Sequence, residues 1–224
     1  MNNNIYNKDI ILAIDPSLRG SSFILGDIKG NINNYIYFSD QKKDIKNSHC
    51  IEIPQWYKSK DKFDLTLQKF MLTVGNNNVK FVIMESPSYN SSNCNDEFKA
   101  IYSTIAWFLR QVRVQYMFIS PVSNKLYFTD NAHANKEDMV KQAVAEYGEI
   151  IDFTQISTKH SEDVADSLSM YSIAQNYLCC TSNSNYIYNL PLHRQQVLFK
   201  LLGDEKNYKD IQKKRNKLKK NDTR

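Results

Sequence analysis

Short apolar runs alternate with amphipathic stretches along most of the chain. Residues 10–14 are continuously apolar and are followed by Asp15-Pro16, a pattern typical of a strand buried on both faces and stopped by proline. Residues 21–25 and 32–38 are also rich in β-forming side chains, and turn residues fill the gap between them. These three runs predict an antiparallel meander.

Helical periodicity then alternates with two further strand-like runs. Apolar side chains recur at three- and four-residue spacing in four segments: residues 63–74, 98–112, 136–147 and 161–178. Strands are predicted for residues 79–84 and 116–119. After a polar stretch, a last helical segment is predicted from about Leu192 into the end of the chain.

The order of these elements predicts an α/β fold with a central mixed five-stranded sheet, an antiparallel meander followed by parallel strands, flanked by helices. Residues 1–178 are predicted to form this domain, and residues 179–224 a helical, basic C-terminal extension. Residues 39–60 are polar, lack periodicity and are predicted to be a surface excursion.

Positive charge is concentrated at the end of the chain. The formal net charge is +5, and the nine Lys or Arg minus four Asp or Glu from Gly203 onward account for all of it. A basic tail on a neutral body attracts phosphate backbones without regard to sequence. The other interpretation is a solvated, lysine-rich helix end in a sequence whose abundant Asn, Lys, Ile and Tyr indicate an AT-rich genome.

Several classes of protein are disfavoured. No stretch approaches the ~20 apolar residues of a membrane-spanning helix, so we expect a soluble, cytoplasmic protein with no membrane partner. The four cysteines form no C-x-x-C pair, which argues against structural zinc and against a disulfide framework. No phosphate-binding loop motif is present, so no nucleotide cofactor is expected.

Two acidic residues end predicted central strands. Asp15 follows the first apolar run, and Glu85 follows the run at residues 79–84. Because ligands bind at the carboxyl ends of strands in open α/β sheets, two neighbouring strands that end in acids suggest a metal site. Taken singly, Asp15 is better explained as an Asp-Pro turn residue, whereas a helix or turn contact explains Glu85 as well as a metal site does.

Two more acids lie on the predicted helix at residues 161–178. Asp163 and Asp166 are three residues apart, and helical steps from them lead to the apolar Met170 and Ile173, so both acids lie in line with the buried stripe. Capping by Ser161 would explain Asp163 in a first turn, but it leaves Asp166 without a reason. Four converging carboxylates predict a site for two Mg²⁺ ions.

Four short segments resemble the RuvC family of Holliday junction resolvases. The apolar run with Asp15-Pro16-Ser17-Leu18-Arg19 is similar to the family's first-strand motif, although Ser17 replaces its usual glycine, and residues 163–168 are similar to its Asp-Ala-Ala-Asp-Ala-Leu helix. Residues 121–125 and 134–136 resemble its Pro-x-x-Val-Lys and Ala-Asp/Glu-Lys segments. Glu85 follows its strand as the family's second acid does.

The resemblance implies an RNase H-like fold, a homodimer and metal-dependent nicking of four-way or branched double-stranded DNA, an activity of recombination and repair. Asp15, Glu85, Asp163 and Asp166 would bind two Mg²⁺ ions, which Mn²⁺ could replace. Lys136 would join them as a catalytic phosphate contact. The predicted DNA-binding residues are Lys125, Lys136, Arg19 and, as a stacking aromatic, Tyr89.

Some features stay open. Residues 128–133 lack the family's glycine-rich character, which puts their DNA contacts in doubt, and His160 is interpreted as an exposed helix-entry residue rather than a proton carrier. Alternative functions are an RNase H-like nuclease acting on an RNA/DNA hybrid or a DNA-packaging intermediate, and a catalytically silent nucleic-acid-binding protein.

Overall fold

A computed structural model describes residues 9–16, 20–87 and 96–222. Within them, six strands form one sheet in the order β4-β3-β2-β1-β5-β6. Their bounds are β1 Ile10–Asp15, β2 Ser22–Asp27, β3 Ile32–Ser39, β4 Cys50–Glu52, β5 Val79–Glu85 and β6 Gln115–Ile119.

The sheet is mixed, as predicted. The first three strands form an antiparallel meander, while β5 runs parallel to β1 and β6 runs parallel to β5. The predicted number of five strands is wrong, because β4 adds a sixth, parallel to β3, inside the segment predicted to be a surface excursion. Three residues are too few to show an alternation of apolar and polar side chains, so the pattern gave no signal.

Seven α-helices lie within the described residues: α1 Ser59–Asn76, α2 Asp96–Gln111, α3 Pro121–Thr129, α4 Lys136–Tyr147, α5 Thr158–Ser182, α6 Leu192–Leu201 and α7 Glu205–Asp222. Helix α3 was not predicted. Its start nevertheless carries a local signal, since Pro121 occupies the first turn and the Ser120 side chain accepts a hydrogen bond from the Ser123 amide at 3.2 Å.

Helix α5 begins earlier than the predicted Ser161. It starts at Thr158 after Ser157, and the Ser161 hydroxyl donates back to the Ser157 carbonyl at 3.1 Å instead of capping the helix. Asp163 therefore lies in the second turn. An acid in that turn gains little from the helix dipole, so capping does not explain Asp163 any better than it explains Asp166.

Side chains of β1 alternate between two apolar cores, one on each face of the sheet. Leu12 and Ile14 pack on the face covered by α1 and α2, whereas Ile11 and Ala13 pack on the face covered by α5. Asp15 is the next residue in the second series. The pleat of the strand therefore directs its carboxylate towards the α5 face.

Helix α5 lies close against β2. A Cβ added at Gly26 would come within 2.5 Å of the Tyr171 ring, and the Ser22 hydroxyl donates to the Asp163 carbonyl at 2.6 Å. The Tyr171 hydroxyl in turn donates to the Asp27 carbonyl at 2.8 Å. These contacts fix the rotation and height of α5 over the sheet, and so they fix where its aspartates lie.

The C-terminal extension shares a core with the α5 face. Ile187, Val197, Leu198 and Ile211 belong to the same apolar cluster as Ile11 and the buried side of α5. The predicted boundary at residue 178 falls inside α5, and the division into residues 1–178 and 179–224 stays a prediction. Among the described helices, none combines the length and apolar character needed to cross a membrane.

Candidate active site

Asp15 and Glu85 end neighbouring parallel strands. Ile14 on β1 is paired with Met84 on β5, so the next residue of each strand is an acid at the same edge of the sheet. On β5, Phe81 and Ile83 pack in the core on the α5 face, and Glu85 continues that alternation. Both carboxylates are half-buried and lie on the side of the sheet that α5 covers.

Asp163 and Asp166 complete a group of four acids, here called the carboxylate cluster: Asp15, Glu85, Asp163 and Asp166. Asp15 is repelled by each of the other three, and Glu85 is also repelled by Asp166. The structure therefore brings together acids from three segments that are far apart in the sequence.

Burial raises the pKa of every member of the carboxylate cluster, and repulsion by other members raises the pKa of Asp15, Glu85 and Asp166 further. Burial raises the pKa of Glu85 to about 8, with a further contribution from Asp166. Burial, followed by the charge of Asp163, raises the pKa of Asp166 to about 7. The pKa of Asp15 lies well above its usual value and that of Asp163 is raised, with burial the largest cause for both. An uncompensated negative charge is therefore costly here.

Two predicted lysines lie beside the cluster. Lys125 on α3 is half-buried, and its charge lowers the pKa values of Glu85 and Asp166 against the effect of burial. Lys136 begins α4, lowers the pKa of Asp15, and donates from Nζ to Glu162 Oε2 at 2.5 Å. Its side chain is 65% exposed, so it is accessible at the rim of the cluster.

The interpretation of His160 as an exposed residue is wrong. Its side chain is fully buried, and Nδ1 lies 3.1 Å from Asp163 Oδ2. Gly20 makes room for this pair, because a Cβ there would lie 2.6 Å from the imidazole and 2.8 Å from the same carboxylate oxygen. His160 thus orients one member of the carboxylate cluster.

Sequence reasoning also missed Asp44. This residue is fully buried, and its carboxylate accepts hydrogen bonds from the Ser39 hydroxyl at 2.6 Å and from the amide and hydroxyl of Ser157 at 2.6 and 2.7 Å. These bonds hold its pKa below the usual value despite burial. Asp44 therefore ties the segment after β3 to the start of α5, just before His160.

The carboxylate cluster is not a preformed coordination sphere. Within residues 9–16, 20–87 and 96–222, no group of three or more His, Cys, Asp or Glu side chains is arranged to hold a metal ion. Arg19 and Tyr89, two of the predicted DNA-binding residues, lie outside the described residues.

Comparison with known proteins identifies the fold. No protein-family model matches the sequence, and no curated protein matches it either. RuvC from Thermus thermophilus matches with a TM-score of 0.51 at 11% identity, over 74% of this chain and 95% of that one. The chain has the fold of the RuvC-type Holliday junction resolvases.

Two further matches are complexes with DNA. The T. thermophilus RuvC complex with its Holliday junction substrate matches with a TM-score of 0.52 at 9% identity, over 75% of this chain and 95% of that one. Fowlpox virus resolvase with substrate Holliday junction DNA matches with a TM-score of 0.50 at 14% identity, over 75% and 98%. The structural match thus covers nearly the whole length of these proteins and leaves about a quarter of this chain unmatched.

Proposed function

We propose that this chain is a metal-dependent endonuclease that cuts four-way or otherwise branched DNA by phosphodiester hydrolysis. One observation carries the proposal: four acids from two strands and one helix gather at one edge of a RuvC-like sheet, and their pKa values are all raised. A protein that only bound nucleic acid would gain nothing from repelling phosphates at this place.

The donor chemistry of the carboxylate cluster fits Mg²⁺ or Mn²⁺. All four side chains offer oxygen, the donor that these hard cations prefer, and divalent cations would compensate both the buried negative charge and the repulsion that raise the pKa values of Asp15, Glu85 and Asp166. We propose that Asp15, Glu85, Asp163 and Asp166 hold two such ions after small side-chain rotations. Bound ions would supply activation of water and stabilisation of the charge on the leaving oxygen.

The remaining residues would position the phosphate and the carboxylates. Lys125 is close enough to Glu85 and Asp166 to meet a phosphate brought to the cluster. Lys136 would exchange Glu162 for a phosphate oxygen at little cost, since an exposed ion pair contributes roughly 0 to 1 kcal/mol. His160 would keep Asp163 in one orientation, because a buried ring has few alternative positions.

Cleavage of a synthetic four-way junction tests this proposal. End-labelled junction, linear duplex of the same sequence and an RNA/DNA hybrid are incubated with the protein and Mg²⁺, and the products are separated on denaturing gels. We expect nicks in the junction and at least tenfold slower cutting of the duplex. For Asp166→Asn we expect a rate loss of about 10²- to 10³-fold, the size of effect seen when a charge-stabilising group is removed.

Asp64→Asn is the matched control, since it removes an exposed carboxylate on α1 and should cut at the wild-type rate. An intact junction after incubation with Mg²⁺ and with Mn²⁺ would refute the proposal. Equal cutting by wild type and Asp166→Asn would refute the assignment of the site. Faster cutting of the hybrid would replace the proposed substrate.

A further inference from the structure

The lysines of α7 are not spread evenly around the helix. At 100° per residue, Lys206, Lys209, Lys213, Lys217 and Lys220 fall within an arc of about 80°, less than a quarter of the circumference. All five are exposed. They are here called the lysine stripe, and it extends for roughly 21 Å at 1.5 Å per residue. An AT-rich genome would raise the number of lysines but would not align them.

The lysine stripe lies opposite the side of α7 that packs on the protein. Ile211 is buried, and Tyr208 and Arg215 are half-buried, at helical angles that centre on the other side of the helix. The stripe is therefore directed away from the core. Within this arc α7 has no acidic residue: at 100° per residue, Asp210 lies about 20° beyond one edge and Glu205 about 40° beyond the other.

Arg215 fixes this orientation. Its guanidinium is hydrogen-bonded to the side chains of Gln196 on α6 and Asp130 at the end of α3, and only 11% of the Arg215 side chain is exposed. Lys219 also donates to the Asp130 carbonyl, at 3.2 Å. The helix is thus attached to two other helices at its C-terminal half, so the stripe is held in place rather than carried on a free tail.

The attachment point adjoins the proposed active site along the chain. Asp130 begins the loop that joins α3, which carries Lys125, to α4, which begins with Lys136. Gln212 and Asn216 of α7 line a shallow pocket with Asn131 and His133 of the same loop. A DNA arm that meets Lys125 and Lys136 would thus have α7 next to it.

We propose that the lysine stripe is a second DNA-binding surface that holds the phosphate backbone of a duplex arm of the substrate. The inference rests on the proposed function for the identity of the substrate, although duplex binding can be measured without cleavage. The five ammonium groups recur every three or four residues along one face of the helix. This arrangement suits binding to a phosphate backbone through charge, without contacts that depend on the base sequence.

Salt dependence of binding tests the stripe directly. Binding of the Asp166→Asn protein to a four-way junction is measured in EDTA by fluorescence anisotropy from about 50 to 200 mM salt. The triple substitution Lys206→Gln, Lys213→Gln, Lys217→Gln is compared with a control triple substitution of exposed lysines elsewhere, Lys42→Gln, Lys80→Gln, Lys141→Gln. Both triples change the net charge by the same amount.

Three lost phosphate contacts should reduce the slope of log K against log salt by roughly 2 to 3 and weaken binding at ~100 mM salt by tenfold or more. We expect this for the stripe triple and a change of slope below about 1 for the control triple. Thermal melting should be the same for both, since all six side chains are exposed.

Equal slopes for the two triples would overturn the inference while leaving the proposed function intact if the wild type still cuts junctions. Absence of junction binding by any form, together with absence of cleavage, would overturn both. Stripe-dependent binding to phosphatidylserine vesicles, without stripe-dependent binding to DNA, would also overturn it, because the surface would then serve a membrane.

Discussion

At the scale of single residues, the carboxylate cluster determines how the protein responds to pH. Without a bound cation, Glu85 and Asp166 have pKa values of about 8 and about 7 in the folded protein, above those of the unfolded chain. At pH values between the usual pKa values of these carboxyls and their raised values, the folded state therefore holds more protons than the unfolded state. The folded protein loses stability as the pH rises through this range.

We predict that, in EDTA, the melting temperature of the double variant Glu85→Gln, Asp166→Asn rises relative to that of the wild type as the pH increases. The two proteins should melt within about 1 °C of each other at pH ~4, where the wild-type carboxyls are largely protonated. At pH ~9 the variant should melt at least about 3 °C higher, which is the shift expected from roughly 1 kcal/mol in a chain of this length. Differential scanning calorimetry across the pH range measures this difference.

The control for this measurement is Asp64→Asn, whose exposed carboxylate should leave the difference near zero at every pH. A double variant that melts below the wild type at pH 9 would show that the two carboxylates are not strained in the absence of metal.

Some residues of the site were visible in the sequence and others were not. Asp15 and Glu85 could be predicted because an acid at the end of an apolar strand is conspicuous, and Asp166 because it interrupts a buried helical stripe. His160 and Asp44 could not, because nothing in their local pattern distinguishes a buried polar group from an exposed one. Asp44 is buried against Ser157, which lies more than a hundred residues away in the sequence. His160 is buried in the space left by Gly20.

At the scale of elements, the close approach of α5 to β2 positions two of the four acids. Gly26→Ala would place a methyl group 2.5 Å from the Tyr171 ring, so the ring or the helix must shift. We predict destabilisation by about 1 to 3 kcal/mol, typical of overpacking. We also predict a lower cleavage rate, because Asp163 and Asp166 move with α5. Urea unfolding and junction cleavage measure the two effects.

Gly75→Ala provides the contrast. Gly75 lies in α1, and a Cβ there would meet nothing within 4 Å, so alanine should stabilise the helix by roughly 0.5 to 1 kcal/mol. Similar effects of the two substitutions would mean that α5 does not depend on Gly26 for its position.

The attachment of α7 is the second element-level feature with a measurable consequence. Arg215→Gln removes hydrogen bonds from a largely buried guanidinium and leaves the Gln196 side chain without its partner. We predict a loss of about 1.5 to 3 kcal/mol in unfolding free energy, the usual range for a charged hydrogen bond. Faster amide hydrogen exchange should be confined to α7 and the end of α3.

Lys209→Gln is the matched control, since its ion pair with Glu205 is exposed and spans 3.9 Å. It should change the unfolding free energy by less than about 0.5 kcal/mol. Unchanged hydrogen exchange in Arg215→Gln would mean that apolar packing alone holds α7.

Elements with long periodic patterns or continuous apolar runs were predicted well, whereas strand β4 and helix α3 were not predicted. Helix α4 was placed at its observed bounds because apolar spacing and Gly148 both mark it. Strand β4 and helix α3 were missed because three and nine residues give too little repetition, so tertiary pairing decides their structure. The predicted final helical stretch is divided into α6 and α7 at Gly203, whose φ of 74° ends a helix readily.

At the scale of the whole molecule, the sheet separates an apolar core on one face from the proposed active site on the other. The core under α1 and α2 is bounded by apolar side chains of β1 and β5, while the other face carries α5, the carboxylate cluster and the C-terminal helices. The acids that end β1 and β5 face this second side because of the strand pleat alone. The fold thus brings the cluster, the two lysines and α7 to one side of the sheet.

We infer that the four acids gather because divalent cations compensate their repulsion. Melting temperature against Mg²⁺ concentration at pH ~8 tests it most directly, for wild type, Asp15→Asn and the control Asp64→Asn. A cation that binds only the folded state stabilises it by RT ln(1 + [Mg²⁺]/Kd), so wild type and control should rise together by several degrees while Asp15→Asn stays flat. Equal curves for all three proteins, or no rise in the wild type, would contradict the account.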